Sequence, residues 1–476
     1  MKEILSKKNI FFCILLVIPI FLFSFFVNID SGDEIINFQS LIKMLNGYTI
    51  YKDFNVIVTP IFFVLGELFL EIFGKNILIF RIYNVLIFIF LFISIYLTLR
   101  KLKISKEFSI FTVLLLLTML SSFIKVGANY NVLAIAFYIL GSIIYKREKS
   151  FKNIILQGTF MFMVFFTKQN IGVYYIVAIA FLNMLSKDGI LENLKQTAKE
   201  LLVFFILLLA SSLVMSLKGN FIEFIDYVFL GMGDFASKNF AIAEGTEILI
   251  LIYFLSSALI YFLYISFIKK KKLTTQEEKN LVIFSFFLNL TAFPILNMYH
   301  TSFAIILNLV MLIVILNKEI KVNSKILSYI NIVVLICMNI YGISGVFKLE
   351  RDSLIVDKIS NYFGGFMEQK LQEKIELVDN YILEEGKKEN RVVIISEKAA
   401  LYMIPLNINN GDFDLAFVGN LGKNGESKLI EKVKNSENTK YLIDKNIYWQ
   451  ISLNLRNYII TNLEKTGDIG GFEIYE

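Results

Sequence analysis

The sequence predicts a multi-pass α-helical membrane protein of about eleven spans, followed by a small α/β region at its C-terminal end. Three observations predict it. Of 476 residues, 56% are hydrophobic and 15% aromatic, and the mean hydropathy is +0.64; in lipid such a chain satisfies its backbone polar groups within helices. Lys and Arg gather in short clusters between apolar runs, which is the positive-inside pattern. Beyond about residue 348 the chain turns charged and alternates strand-like with helix-like stretches. The net charge of +6 resides in those loop clusters, so nucleic acid is not an expected partner. Cys13 and Cys337 both lie in apolar segments and form no disulfide framework.

The N-terminus, MKEILSKKNI, is charged and precedes an apolar run with no small-x-small cleavage site, as in a retained signal-anchor. The expected spans are residues 10–27, 77–99, 108–124, 129–145, 153–167, 171–185, 201–217, 248–268, 281–297, 301–317 and 326–347. The stretch 59–74 carries Glu67 and Glu71 and is short for a crossing. Counting it as a span would put RKLKISKE (100–107) outside. Leaving it at the outer interface puts that loop, KREKSFK (146–152), KKKK (269–272) and KEIKVNSK (318–325) inside. The N-terminus is then cytoplasmic. The acidic loop 28–58, the TKQN turn (167–170), the loop 218–247, the NMYHT turn (297–301) and residues 348–476 are extracytoplasmic. Residues 1–347 form the membrane domain and 348–476 the outer α/β domain. In the latter, 391–396, 413–418, 440–444 and 471–475 read as strands, with helices at KLIEKVKNS and NLRNYIITNLEK.

The first outer loop opens with Asp30, Asp33 and Glu34 immediately after the first span. Carboxylates at the membrane edge are costly to desolvate and tend to mark function. An amphipathic helix follows (Ile35, Ile36, Phe38, Leu41, Ile42, Leu45), stopped at Gly47 and expected to lie on the membrane; Tyr51 and Asp53 come next. The outer loops are poor in cations, so Arg81, Lys125 and Lys168 stand out. His300 is the single histidine and sits at the outer end of a span. A His/Cys zinc site is not supported; an Asp/Glu site for Mg²⁺ or Mn²⁺ stays open. The loop 218–247 reads as a second interfacial helix followed by a glycine-rich lid.

The order Asp-Glu, amphipathic helix, GYTIYKDF, TP, apolar helix, FGKN, FRIYN resembles the first outer loop of the GT-C membrane glycosyltransferases. The nearest subgroup is the bacterial relatives of protein O-mannosyltransferases and lipid A aminoarabinose transferases (glycosyltransferase family 39-like). FFTKQNIG (165–172) matches a Lys-Gln turn of these enzymes. FPILNMYH (293–300) resembles their Pro-Arg-x-Asp-x-x-His segment, with Pro294 and His300 kept but Ile295 and Asn297 replacing the Arg and Asp.

The resemblance implies an inverting transfer of a sugar from a polyprenyl-phosphate donor to a hydroxyl of a cell-envelope glycan, lipid or protein at the outer face of the membrane. A cytoplasmic nucleotide-sugar donor does not suit an outward site. In this reading Asp33 is the general base, with Asp53 the second candidate, and Glu34 orients the loop or acceptor. Arg81, Lys168 and His300 face the donor phosphate, the first two ranked above Lys125. Tyr51, Gln169 and Asn297 are further candidates. The competing reading is a flippase, transporter or polymerase for lipid-linked glycans, which would favour charges in mid-helix and repeated halves.

Overall fold

A computed structural model describes residues 28–29, 32–120, 129–146, 150–186, 189–233, 247–270, 272–273, 275–293, 296–319, 333, 337, 363–417, 419–446 and 451–476. The expected span 10–27 lies outside these residues, as does 326–347 apart from 333 and 337; so do Asp30, Lys125, Pro294 and Ile295.

Helix α1 (Asp33–Leu45) forms where the sequence placed it. It starts after Gly32, whose φ of 99° is open to glycine, and places Asp33 and Glu34 in its first turn, where the positive helix end favours acids. Ile35, Phe38, Leu41 and Ile42 form its apolar face and are fully buried. Its polar side is also buried, including Glu34, Asn37, Gln39 and Lys43. The helix is therefore sandwiched inside the protein instead of lying on a membrane with one face in water. The C-terminal region covers that polar side.

Helix α2 (Ile61–Phe73) has thirteen residues, or about 20 Å, against the ~30 Å of a bilayer core. That length suits the interfacial assignment of 59–74. Its outward face is apolar, with Val64, Leu68, Ile72 and Phe73 exposed. Gly66 lets it approach α1: a Cβ there would stand 3.0 Å from Leu41 Cδ1.

The membrane half continues as α3 (Ile77–Lys101), α4 (Lys106–Leu120), α5 (Tyr130–Ile144), α6 (Phe151–Thr167), α7 (Gln169–Met184), α8 (Ile190–Lys218), α9 (Phe221–Ile225, running into a π turn at Asp226–Leu230), α10 (Glu247–Lys269), α11 (Gln276–Leu290), α12 (Met298–Ala304) and α13 (Ile306–Glu319). Among the described residues three helices, α3, α8 and α10 from Ile250 onward, are long and apolar enough to cross a membrane; α12 and α13 pass together as a pair bent by 43°. Helices α5, α6 and α7 are shorter apolar rods. Helix α8 begins eleven residues before the expected span 201–217 (201 minus 190), because Glu192–Glu200 continue the helix as an amphipathic extension. Helix α3 packs along α5, and α6 packs against both α7 and α8.

After residue 363 come α14 (Gln369–Lys387), β1 (Arg391–Ile395), α15 (Ala399–Met403), α16 (Gly425–Lys434), β2 (Thr439–Asp444), α17 (Leu453–Asn462), β3 (Lys465–Ile469) and β4 (Phe472–Tyr475). The sheet order is β1-β2-β4-β3, with β1 and β2 parallel and the other pairs antiparallel. Alternation along the strands divides the faces. Val392, Ile394, Leu442 and Phe472 join the core that runs on into the membrane half. Val393, Ile395, Tyr441 and Ile443 pack with Leu429, Val433, Leu455 and Ile459 of α16 and α17.

Two expectations are corrected here. Strand β3 is not among the expected strands; only its first residue, Lys465, falls in the stretch NLRNYIITNLEK read as helix. Of the expected strand 413–418, residue 418 lies outside the described residues and 413–417 form no strand: a 3₁₀ turn spans Gly411–Phe413, and Phe417 makes only an isolated bridge to Ile451. The reason is tertiary. The Asp414 carboxylate is taken by Lys43 of α1, and the carbonyls of Leu415 and Asn420 accept from Asn55 Nδ2, both at 3.1 Å. Those groups face the first loop and leave no ladder to extend.

Candidate active site

Five side chains from four elements converge at one end of the helices. Asp33 begins α1, Tyr130 begins α5, Lys168 sits between α6 and α7, and Tyr299 and His300 lie on α12.

Lys168 is placed by a break in the chain. Its extended backbone (φ −155°, ψ 111°) ends α6 and starts α7. The two helices meet closely there, since a Cβ on Gly172 would stand 2.2 Å from Phe165 Cα. The turn is tied to the first outer loop by Thr59 Oγ1 donating to Phe165 O (3.0 Å) and by Gln169 Nε2 donating to Ile57 O (2.9 Å). The loop that supplies Asp33 and the turn that supplies Lys168 are thus one connected unit.

Asp33 is exposed at its position in the first turn of α1, yet enough protein lies around the carboxyl to desolvate it. The low polarity of the surroundings pushes the Asp33 carboxyl up to about 6, with the Lys168 ammonium pulling the other way. Burial likewise brings Lys168 down to about 8, opposed by Asp33. The ammonium stands over the Tyr130 ring, 4.5 Å from its centroid. The charge of Asp33 also acts on Tyr130 and Tyr299, and that of Lys168 acts on His300.

Asn297 caps α12, its Oδ1 accepting from His300 N at 2.9 Å and facing His300 Nδ1 at 2.9 Å. Oδ1 can only accept, so Nδ1 carries the hydrogen and the neutral ring presents Nε2 as an acceptor. A neutral His300 therefore accepts hydrogen bonds, whereas the expected phosphate contact needs a donor.

The structure gives other candidates structural work. Arg81 and Glu34 bind each other through two hydrogen bonds, Nε to Oε1 at 2.6 Å and Nη2 to Oε2 at 2.8 Å, both side chains buried. Arg81 was expected on the donor phosphate; here its guanidinium holds the Glu34 carboxylate. Asp53 Oδ2 accepts from Thr49 N at 2.6 Å while Asp53 N donates to Thr49 O at 2.9 Å. That closed turn holds its carboxylate locally. Within the turn Tyr51 takes φ 70°, is fully buried and donates to Val58 O at 2.7 Å. Gln169 serves the loop anchoring already described.

The possible Mg²⁺ or Mn²⁺ does not fit these residues. Glu34 is engaged by Arg81, Asp33 has an ammonium as its neighbour, and among the described residues no three His, Cys, Asp or Glu side chains converge. The expected lid in 218–247 is described as far as residue 233. Its first part is anchored: Asp226 accepts from Lys428 Nζ at 2.8 Å and Lys423 N at 3.0 Å, and Asn220 Nδ2 donates to Ile50 O at 2.8 Å.

Sequence reading missed Tyr130 and Tyr299 as site residues. Their signal was position: each is a tyrosine at the start of a helix, Tyr299 next to the single histidine and Tyr130 inside NYN. Asn131, which hydrogen-bonds Tyr299, belongs to the same stretch.

No protein-family model and no curated protein matches this sequence. Solved structures do. The crystal structure of ArnT from Cupriavidus metallidurans bound to undecaprenyl phosphate matches with a TM-score of 0.58 at 10% identity, covering 99% of this chain and 98% of that one. The apo-state structure of the same protein matches with a TM-score of 0.60 at 10% identity, covering 98% and 97%. The likeness extends over essentially the whole of both chains, C-terminal region included. The chain therefore shares an overall fold with a protein of the kind that the motifs of the first loop resemble. The particular solved fold it shares is that of ArnT.

Proposed function

We propose that the protein transfers a sugar from a polyprenyl-phosphate donor to an acceptor hydroxyl at the outer face of the cytoplasmic membrane, with inversion at the anomeric carbon. The observation that carries the reading is the opposition of Asp33 and Lys168, which we take to line one recess, with burial pushing the Asp33 carboxyl up to about 6. A carboxylate of that kind is present as a base at neutral pH and still binds a proton well. That a structure of the same fold holds undecaprenyl phosphate supports the donor class.

The chemistry follows from the two charges. The acceptor hydroxyl oxygen attacks the anomeric carbon from the face opposite the phosphate, and its proton passes to the Asp33 carboxylate. The carbon–oxygen bond to the phosphate breaks, and the polyprenyl phosphate leaves with the electron pair. Lys168 stabilises the charge that builds on the leaving phosphate. The phosphate is already a stable anion, so no strong general acid is required. Glu34 and Arg81 hold the first turn of α1, and thereby Asp33, at the recess.

The test is transfer by the purified protein in liposomes, supplied with radiolabelled sugars on undecaprenyl phosphate. Asp33→Asn keeps the shape but cannot take the proton, and is expected to lose about 10²–10⁴ in turnover while inserting and folding normally. Near wild-type transfer by that variant would sink the assignment.

A further inference from the structure

The contact between Lys168 and Tyr130 has a use that the reaction scheme leaves unassigned. We propose that Tyr130 is a positioning residue: the face of its ring seats the Lys168 ammonium beside Asp33, in place for the departing phosphate. The inference rests on the proposed transfer reaction and adds to it the device that holds the essential cation.

Four observations carry it. The Lys168 Nζ lies 4.5 Å from the Tyr130 ring centroid, well within the reach at which an aromatic face attracts a cation. Among the described residues Lys168 makes no salt bridge such as the one Arg81 makes, and its side chain is only half-buried, so a flexible four-carbon stem needs another restraint. The ring itself is fixed. It starts α5, and Phe62 meets it edge-on with centroids 5.8 Å apart; Phe62 is fully buried and packs in turn on Tyr83 at 5.4 Å. Finally, Phe62 belongs to α2 and Asp33 to α1, so the ring is braced by the same outer unit that carries the base.

An aromatic seat suits a phosphate-binding lysine better than a second carboxylate would. A carboxylate would neutralise the ammonium and repel the donor. The ring restrains it, favours its charged form and leaves its hydrogen-bond donors to the ligand. Among the described residues the groups that act on Lys168 are Asp33 from α1, Tyr130 from α5 and His300 from α12. Of these Asp33 also favours the charged form while it is ionised, an effect that ends when it takes the acceptor's proton.

The experiment uses the full-length protein carrying Tyr130→Phe, Tyr130→Leu, or phenylalanine with one to four ring fluorines at position 130. Fluorination weakens the ring face without changing its shape. Transfer from the undecaprenyl-phosphate sugar is followed against pH. In parallel, reductive methylation of Lys168 is read by peptide mass spectrometry, which follows its ionisation independently of turnover.

Tyr130→Phe is expected to keep the wild-type profile, and the fluorinated series to lower the Lys168 ionisation step by step. Tyr130→Leu should move it down by about half to one and a half pH units, with a roughly two- to thirty-fold loss of kcat/KM for the donor. A flat fluorine series, or Tyr130→Phe behaving as badly as Tyr130→Leu, overturns the proposal. If the wild type moves no sugar while Lys168 still follows the fluorine series, the transfer reading fails and the seating of Lys168 stands.

Discussion

Arg81 and Glu34, 47 residues apart, close on each other through two hydrogen bonds in the interior. The pair fastens the first turn of α1 to the start of α3. It converts two residues that look like site charges into the clamp that orients a third, Asp33.

Removing one partner strands the other as a buried charge, so Arg81→Ala or Glu34→Ala is expected to cost about 3–5 kcal/mol of stability. The double variant Glu34→Leu with Arg81→Met should recover most of it. Thermal unfolding in detergent measures both. The double variant is also expected to keep a donor KM near wild type. A donor KM that stays high once stability is restored would return Arg81 to the phosphate.

Transfer should follow a bell-shaped dependence on pH. Asp33, raised to about 6 by burial, must be ionised to accept a proton, so the rate falls as pH drops through 6. Lys168, lowered to about 8 by burial, must be protonated to meet the phosphate, so the rate falls as pH rises through 8. Lys168→Arg keeps its charge at any working pH and should abolish the alkaline limb. A profile unchanged in that variant would remove Lys168 from the reacting centre.

Asp53→Asn should leave turnover within a few-fold of wild type, because an amide oxygen can replace the carboxylate oxygen that accepts from Thr49 N. Steady-state transfer measured beside Asp33→Asn decides between the two acids. Loss in Asp53→Asn alone would move the base to that position.

The C-terminal sheet should matter to catalysis without touching substrate. Lys43 of α1 is buried against Asp414 and donates to Asn409 Oδ1 at 2.9 Å. Desolvation lowers the lysine and raises the aspartate from their usual values, so each depends on the other. Asp414→Ala is expected to lose about 3–5 kcal/mol and to increase protease cleavage in the 28–58 loop. Limited proteolysis read by mass spectrometry checks it.

Topology is tested with exposed positions in a background lacking Cys13 and Cys337. Lys103→Cys, in the 100–107 loop, should resist an impermeant maleimide added outside intact cells, and Glu437→Cys should react. Both side chains are exposed in the fold. The reverse pattern would place the recess in the cytoplasm and end the lipid-linked donor reading.

The membrane character, the long apolar helices over 77–99, 201–217 and 248–268, and helix α1 with its stop at Gly47 were legible in the sequence, which also singled out Asp33 and Lys168, the pair on which the proposed reaction rests. Each rests on local information: apolar run length, a 3.6-residue period, a glycine stop, or a charge where charges are scarce. What only the tertiary structure decided is how the polar groups pair. Arg81 and Glu34 each looked free until packing brought them into one buried fork. Helix α1 looked amphipathic and surface-bound until the C-terminal region covered its polar side, and 413–418 looked like a strand until Lys43 and Asn55 claimed its carboxylate and carbonyls. Tyr130 could not be recognised as a seat for Lys168 before α5 and the α6–α7 turn were side by side. A hydrophobic period is written along one segment, whereas a buried charge is settled by whichever distant group arrives to compensate it.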